Sequence, residues 1–222
     1  MKTVLLPDKP PALLFDIDNT LYHNDEYVRS QNDGQIERYA KVRGISFDDG
    51  KRTVERARTE LERKEGRRPS LAQTLVSLGI PIRESITWRR ELIAPERYLQ
   101  KDDEVRMTLQ RLARHFRLAA LTNNPREIGL RSLEALGIHD LFESVTGLDD
   151  AGESKPSWGP FAHALEALGI ETTALLMVGD RYDVDLDPVV CRGGSAILVE
   201  SREDLLKIPR LLEERYALSD RP

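Results

Sequence analysis

The sequence predicts an α/β fold built on a parallel sheet, and three observations carry that prediction. Short apolar runs recur at "LLFDIDNTLY" (13 to 22), "FRLAALTNN" (116 to 124), "ESVTGLDD" (143 to 150), "ALLMVGDR" (174 to 181) and "SAILVES" (195 to 201). Each of the last four follows a helical pattern, and strands alternating with helices pair in parallel through right-handed crossovers. Residues 23 to 103 break the alternation, with helical stretches and charge clusters but no buried strand, and so predict an inserted all-helical domain. The expected division is a core of 1–22 and 104–222 around a helical insert of 23–103.

The helices follow from spacing. Val105, Leu109 and Leu112, then Ile128, Leu133 and Leu136, then Phe161, Leu165 and Leu168 set apolar stripes at helical intervals. Leu-Gly-Ile closes segments at 78–80, 136–138 and 168–170, where glycine supplies the left-handed residue after a helix; this is punctuation rather than an internal repeat. In the insert, Ser70 caps a helix whose Leu71, Leu75 and Leu78 form one face and Gly79 ends it.

Composition bounds the function classes. With 222 residues, 40% of them hydrophobic, the chain can bury a sizeable core. No run approaches the about 20 apolar residues of a membrane span, "MKTVLLPDKPP" is too short and proline-rich for a signal peptide, and Cys191 has no internal disulfide partner, so a cytoplasmic protein is expected. A net charge of −5 gives no reason to expect a nucleic-acid or membrane partner, which leaves a small molecule; oligomeric state is not readable. Residues 24 to 100 carry 16 Lys+Arg against 13 Asp+Glu, a net +3 that would draw an anion toward the insert unless the run "RTVERARTELERKEGRR" is simply a solvated helix face.

Chemistry concentrates where strands end, the rim on which open parallel sheets collect ligands. Asp16 with Asp18, Thr122 with Asn123, and Asp180 each follow an apolar run. Two carboxylates two residues apart repel unless a cation or shared proton intervenes, and with Asp180 they make an oxygen set suited to Mg2+. Gly179 permits close backbone approach there.

"DIDNT" (16–20), "LTNN" (121–124), "SKP" (154–156) and "VGDRYDVD" (178–185), in that order, resemble the four motifs of the haloacid dehalogenase (HAD) superfamily of hydrolases. The resemblance implies a Rossmann-like core, a helical cap of the first type, and Mg2+ held by Asp16, the backbone carbonyl of Asp18, Asp180 and Asp185. It makes Asp16 a nucleophile forming an aspartyl phosphate and Asp18 the general acid and base, a residue absent from the dehalogenase branch. Thr122 and Asn123 would bind phosphoryl oxygens, and Lys155 would neutralise nucleophile and phosphoryl group.

Asp183 is an alternative to Asp185, and Asp187 reads as a helix-start residue. Glu153 and Ser154 read as loop, Tyr22 as hinge packing, and Cys191 as small core filler. His23 is a candidate for the cap entrance; Trp88, Arg89 and Arg90 either meet substrate or form helix surface. The wording of the core most resembles the pyrimidine 5'-nucleotidase branch, with phosphoglycolate or sugar-phosphate phosphatases as alternatives. Further alternatives are a phosphomutase and a non-catalytic metal-binding domain.

Overall fold

The computed structural model describes residues 2–4, 6 and 10–218; the other residues of the expected core, 1, 5, 7 to 9 and 219 to 222, lie outside the described residues. Its strands are β1 (Lys2–Val4), β2 (Ala12–Phe15), β3 (Arg117–Leu121), β4 (Ser144–Thr146), β5 (Leu175–Gly179) and β6 (Ser195–Leu198). They form one sheet in the order β1-β6-β5-β2-β3-β4. All neighbours pair in parallel except β1, which runs antiparallel to β6 at the edge. A three-residue strand ahead of Pro7 leaves too little sequence for a periodic signal, so this edge differs from the all-parallel expectation.

Strand β2 lies in the middle and is buried on both faces. Alternation splits its residues: Leu13 and Phe15 pack with Leu109, Ile128 and Ile208 on one face, while Ala12 and Leu14 pack with Phe161, Leu165 and Leu168 on the other. The chain leaves β2 toward β3 and β4, then returns to lay β5 and β6 on its opposite side. The crevice between β2 and β5 is therefore a switch point, where strand ends diverge and a ligand can enter.

Between β2 and β3 come α1 (Asp25–Arg43), α2 (Phe47–Glu65), α3 (Leu71–Ser77) and α4 (Ile82–Leu92). The start of α1 is fixed by Asn24, whose side chain accepts from Tyr27 N at 2.9 Å, and by acidic residues in the first turn; Lys41 and Arg43 suit its carboxyl end. A capping box opens α3, with Ser70 and Gln73 satisfying each other's backbone N–H groups. Ile36, Tyr39, Val54, Leu75 and Trp88 give these helices their own apolar cluster.

Around the sheet lie α5 (Asp103–Ala113), α6 (Arg126–Ala135), α7 (Leu148–Ala151), α8 (Trp158–Leu168), α9 (Asp187–Val190) and α10 (Arg202–Tyr216). The three Leu-Gly-Ile glycines all adopt positive φ, of 82°, 70° and 62°. No helix among the described residues is long and apolar enough to cross a membrane.

Candidate active site

Asp16 is the first residue beyond β2, and its N–H still donates to Val178 O at 2.8 Å, so the sheet holds its backbone. Its carboxylate is buried. Oδ1 accepts from Lys155 Nζ at 2.5 Å and Oδ2 from Thr20 Oγ1 at 3.2 Å. The same ammonium donates to Asp185 Oδ1 at 2.7 Å and to Leu121 O at 3.2 Å, and Lys155 is only 1% exposed. Asn123 clamps the lysine's backbone: its Oδ1 accepts from Lys155 N at 2.7 Å and its Nδ2 donates to Lys155 O at 3.2 Å.

Asp185 reaches this cluster from a turn of π-helix, Tyr182–Leu186, that follows β5. Gly179 makes room for it: a Cβ there would lie 2.6 Å from Asp185 Cβ. Asp183, on the same turn, points away and pairs with Arg181 at 3.3 Å. Between the two sequence candidates, it is Asp185 that faces Asp16. Asp187 starts α9, as its position suggests.

Asp16, Asp180 and Asp185 each offer an oxygen within 4.8 Å of the others. Burial raises Asp180 to about 7, with the Asp185 charge adding to the effect. Burial likewise raises Asp16, outweighing the pull of the Lys155 ammonium. Burial alone would lower Lys155, yet Asp16 and Asp185 together hold it above its ordinary value. One ammonium does not balance this many carboxylates, and an all-oxygen set short of positive charge fits a hard divalent cation.

Asp18 stands apart from that oxygen cluster. Its Oδ1 accepts from Tyr22 OH at 2.6 Å and Gln31 Nε2 at 3.0 Å, and its Oδ2 from Thr122 Oγ1 and Asn124 Nδ2, both at 3.2 Å. Thr122 is buried below the cavity floor with its hydroxyl also accepting from Asn124 N at 3.0 Å, whereas Asn123 and Asn124 line the cavity. Tyr22 thus does more than pack at a hinge. Burial and the Asp18 charge raise its phenol well above the ordinary value.

The cavity, about 250 Å³, lies between these residues and helices α1 to α4. Asp16, Asp18, Asp180 and Asp185 form its floor, and Gln31, Gln35, Arg58, Arg68, Ser70 and Arg89 line it from the helical side. Ser70 Oγ and Ser154 Oγ meet at 2.9 Å across the seam, and Arg90 bridges to Asp149 at 2.6 Å.

The neighbouring sequence candidates separate: Trp88 fills the helical cluster, Arg89 lines the cavity, and Arg90 spans the seam. Glu153 accepts from Gly159 N at 2.9 Å, away from the cavity lining. His23 lines a second cavity with Tyr98 and Arg202 rather than this one. Cys191 corrects the sequence reading: it is exposed, because α9 ends at Val190 and the chain turns outward there.

Sequence reasoning missed Gln31, Arg58, Arg68 and Asn124. The basic excess of the insert pointed toward the two arginines and the "LTNN" motif contained Asn124, while nothing in the sequence marked Gln31.

A family model of haloacid dehalogenase-like hydrolases matches residues 10–188. The chain is 35% identical over 94 residues to a phosphoglycolate phosphatase of Aquifex aeolicus, an alignment covering 42% of this chain and 44% of that protein. It therefore spans less than half the length of that relative. It is 26% identical over 203 residues to a glyceraldehyde 3-phosphate phosphatase of Methanothermobacter thermautotrophicus, covering 86% and 85% of the two chains. The magnesium-bound HAD hydrolase YfnB from Bacillus subtilis has a similar fold, with a TM-score of 0.57 at 19% identity over 91% of this chain and 99% of that one.

Proposed function

This chain belongs to the haloacid dehalogenase-like hydrolases, and from that premise we propose that it is a Mg2+-dependent phosphatase acting on a small phosphomonoester. The observation that carries the proposal is Asp18. A carboxyl held by four side-chain donors beside the buried Asp16, at the floor of one cavity, supplies the proton-transfer group that phosphate ester cleavage needs.

Asp16 attacks phosphorus through a carboxylate oxygen while Asp18 protonates the departing alkoxide. Asp18 then takes a proton from water as that water attacks the aspartyl phosphate, which releases inorganic phosphate and restores Asp16. Lys155 orients Asp16 and favours its anionic form against the burial that opposes it. Asn123 fixes the lysine, and Thr122 with Asn124 fixes Asp18. Asp16, Asp180, Asp185 and the Asp18 carbonyl would hold Mg2+, which when bound offsets the charge of the carboxylates and of the phosphoryl group.

Residues 23–103 serve as the cap that shields this chemistry from bulk water. The relatives' names and a cavity of about 250 Å³ favour a compact phosphorylated metabolite over the pyrimidine nucleotide that the core wording suggests.

The test is phosphate release from small phosphomonoesters and nucleotides with Mg2+, with chelator, and with Asp16→Asn. Metal-dependent release that the variant abolishes supports the reading. A folded, metal-loaded protein that releases no phosphate from any of them overturns it, and sugar-phosphate isomerisation without release would mark a mutase.

A further inference from the structure

Arg89, on α4, is 5% exposed, yet its partners are uncharged. Nη1 donates to Gln35 Oε1 and to Ser85 Oγ, the latter at 2.8 Å. Nε has no partner, and no carboxylate lies within ion-pair distance among the described residues. A guanidinium taken out of water is costly unless an opposite charge offsets it. Burial pushes Arg89 down to about 10, and the only charge that supports it is that of Asp18. Asp18 is not bonded to it, being already served by four neutral donors.

The cavity is polarised. Every acid that lines it, Asp16, Asp18, Asp180 and Asp185, belongs to the floor, while the helical wall presents Arg58, Arg68 and Arg89. Arg58 and Arg68 both pair with Glu55, at 3.7 and 3.1 Å, whereas Arg89 has no such partner among the described residues. A phosphoryl group seated over Asp16 uses the floor and leaves Arg89 without a counter-charge. The wall is complete only when the rest of the substrate brings one.

We infer that the substrate carries a second oxyanion, a carboxylate or a second phosphate, on a short carbon skeleton, and that this group docks on Arg89. The inference rests on the phosphatase reading. It adds what the leaving group must contain: recognition is bidentate in the molecule as a whole, phosphoryl group to floor and second anion to cap.

The experiment compares kcat/KM, with Mg2+, across three sets of phosphomonoesters of similar size. One set carries a terminal carboxylate, one a second phosphate, and one a neutral hydroxyl, with p-nitrophenyl phosphate as an uncharged aryl reference. The expected result is a preference of about 100-fold or more for one doubly anionic set over the neutral one, and which set wins names the anion. Arg89→Met should collapse that ratio toward unity, and Arg89→Lys should restore part of it.

Neutral esters turned over as well as the anionic ones would overturn the inference while leaving the phosphatase standing. A preference that survives in folded Arg89→Met would also overturn it. No turnover of any ester would instead remove the phosphatase reading beneath it. Because the wild-type preference is itself a test, a variant that fails to fold does not shelter the proposal.

Discussion

Gln31 Nε2 lies 3.0 Å from Asp18 Oδ1, which joins a helix of the insert to the carboxyl that follows the central strand. The amide's orientation is set from its other end, where Oε1 accepts from Asn124 Nδ2 at 2.9 Å while Asn124 donates to Asp18 as well. Three side chains from three segments close a ring, so the full set of donors to Asp18 exists only when α1 is seated on the core.

Gln31→Ala should therefore impair turnover more than folding. Removing a hydrogen bond to a charged group costs about 1.5–3 kcal/mol, or about 10- to 100-fold in rate if the bond is needed for proton transfer. Steady-state kinetics beside thermal unfolding would show kcat down by that factor with little change in Tm. Equal kcat would mean that Asp18 does not depend on the cap.

Lys155→Met tests the balance of charge at the floor. It leaves Asp16 and Asp185 buried without the ammonium that now touches both. Breaking a buried pair in this way costs about 3–5 kcal/mol, so urea unfolding with chelator present should show a loss of that order, partly recovered on adding Mg2+. Unchanged stability would show that the carboxylates are already protonated.

The pH dependence follows from Asp180, raised to about 7 in the folded chain from an ordinary 3.8. Between those values the folded metal-free protein holds a proton that the unfolded chain releases, so its stability falls as pH rises through this window. A bound cation takes the proton's place. The rise in Tm on adding Mg2+ should thus be larger at pH 8 than at pH 5.5, as measured by paired melts with Mg2+ and with chelator. An equal rise at both values would separate Asp180 from the metal.

Gly179→Ala should disturb the site without touching a reacting group. The added methyl would sit 2.6 Å from Asp185 Cβ, so Asp185 must move off Lys155. Overpacking of this kind costs about 1–3 kcal/mol, and Mg2+ affinity should weaken with it. Calorimetric titration giving wild-type affinity would show that Asp185 has room to adjust.

How much of this was legible depends on where each residue sits in the chain. Asp16, Thr122 and Asp180 stand immediately after buried strands, so apolar runs point to them, and the order of motifs adds Lys155 and Asp185. Gln31, Arg58 and Arg89 come from three different helices and Arg68 from the link between α2 and α3, and only tertiary packing turns them toward the same cavity. In a helix rich in exposed charge, nothing local distinguishes Arg58 from its neighbours. Cys191 misled because apolar residues precede it, although the helix stops before its side chain can turn inward.

Asp16 inherits its position from a central strand of the sheet, held on both sides by parallel neighbours through to its own N–H. The arginines that face it ride on α2, α4 and the link between α2 and α3, which share a separate apolar cluster. The side chains of the cavity floor and those of its wall thus rest on separate packing units, joined where Gln31 reaches down to Asp18.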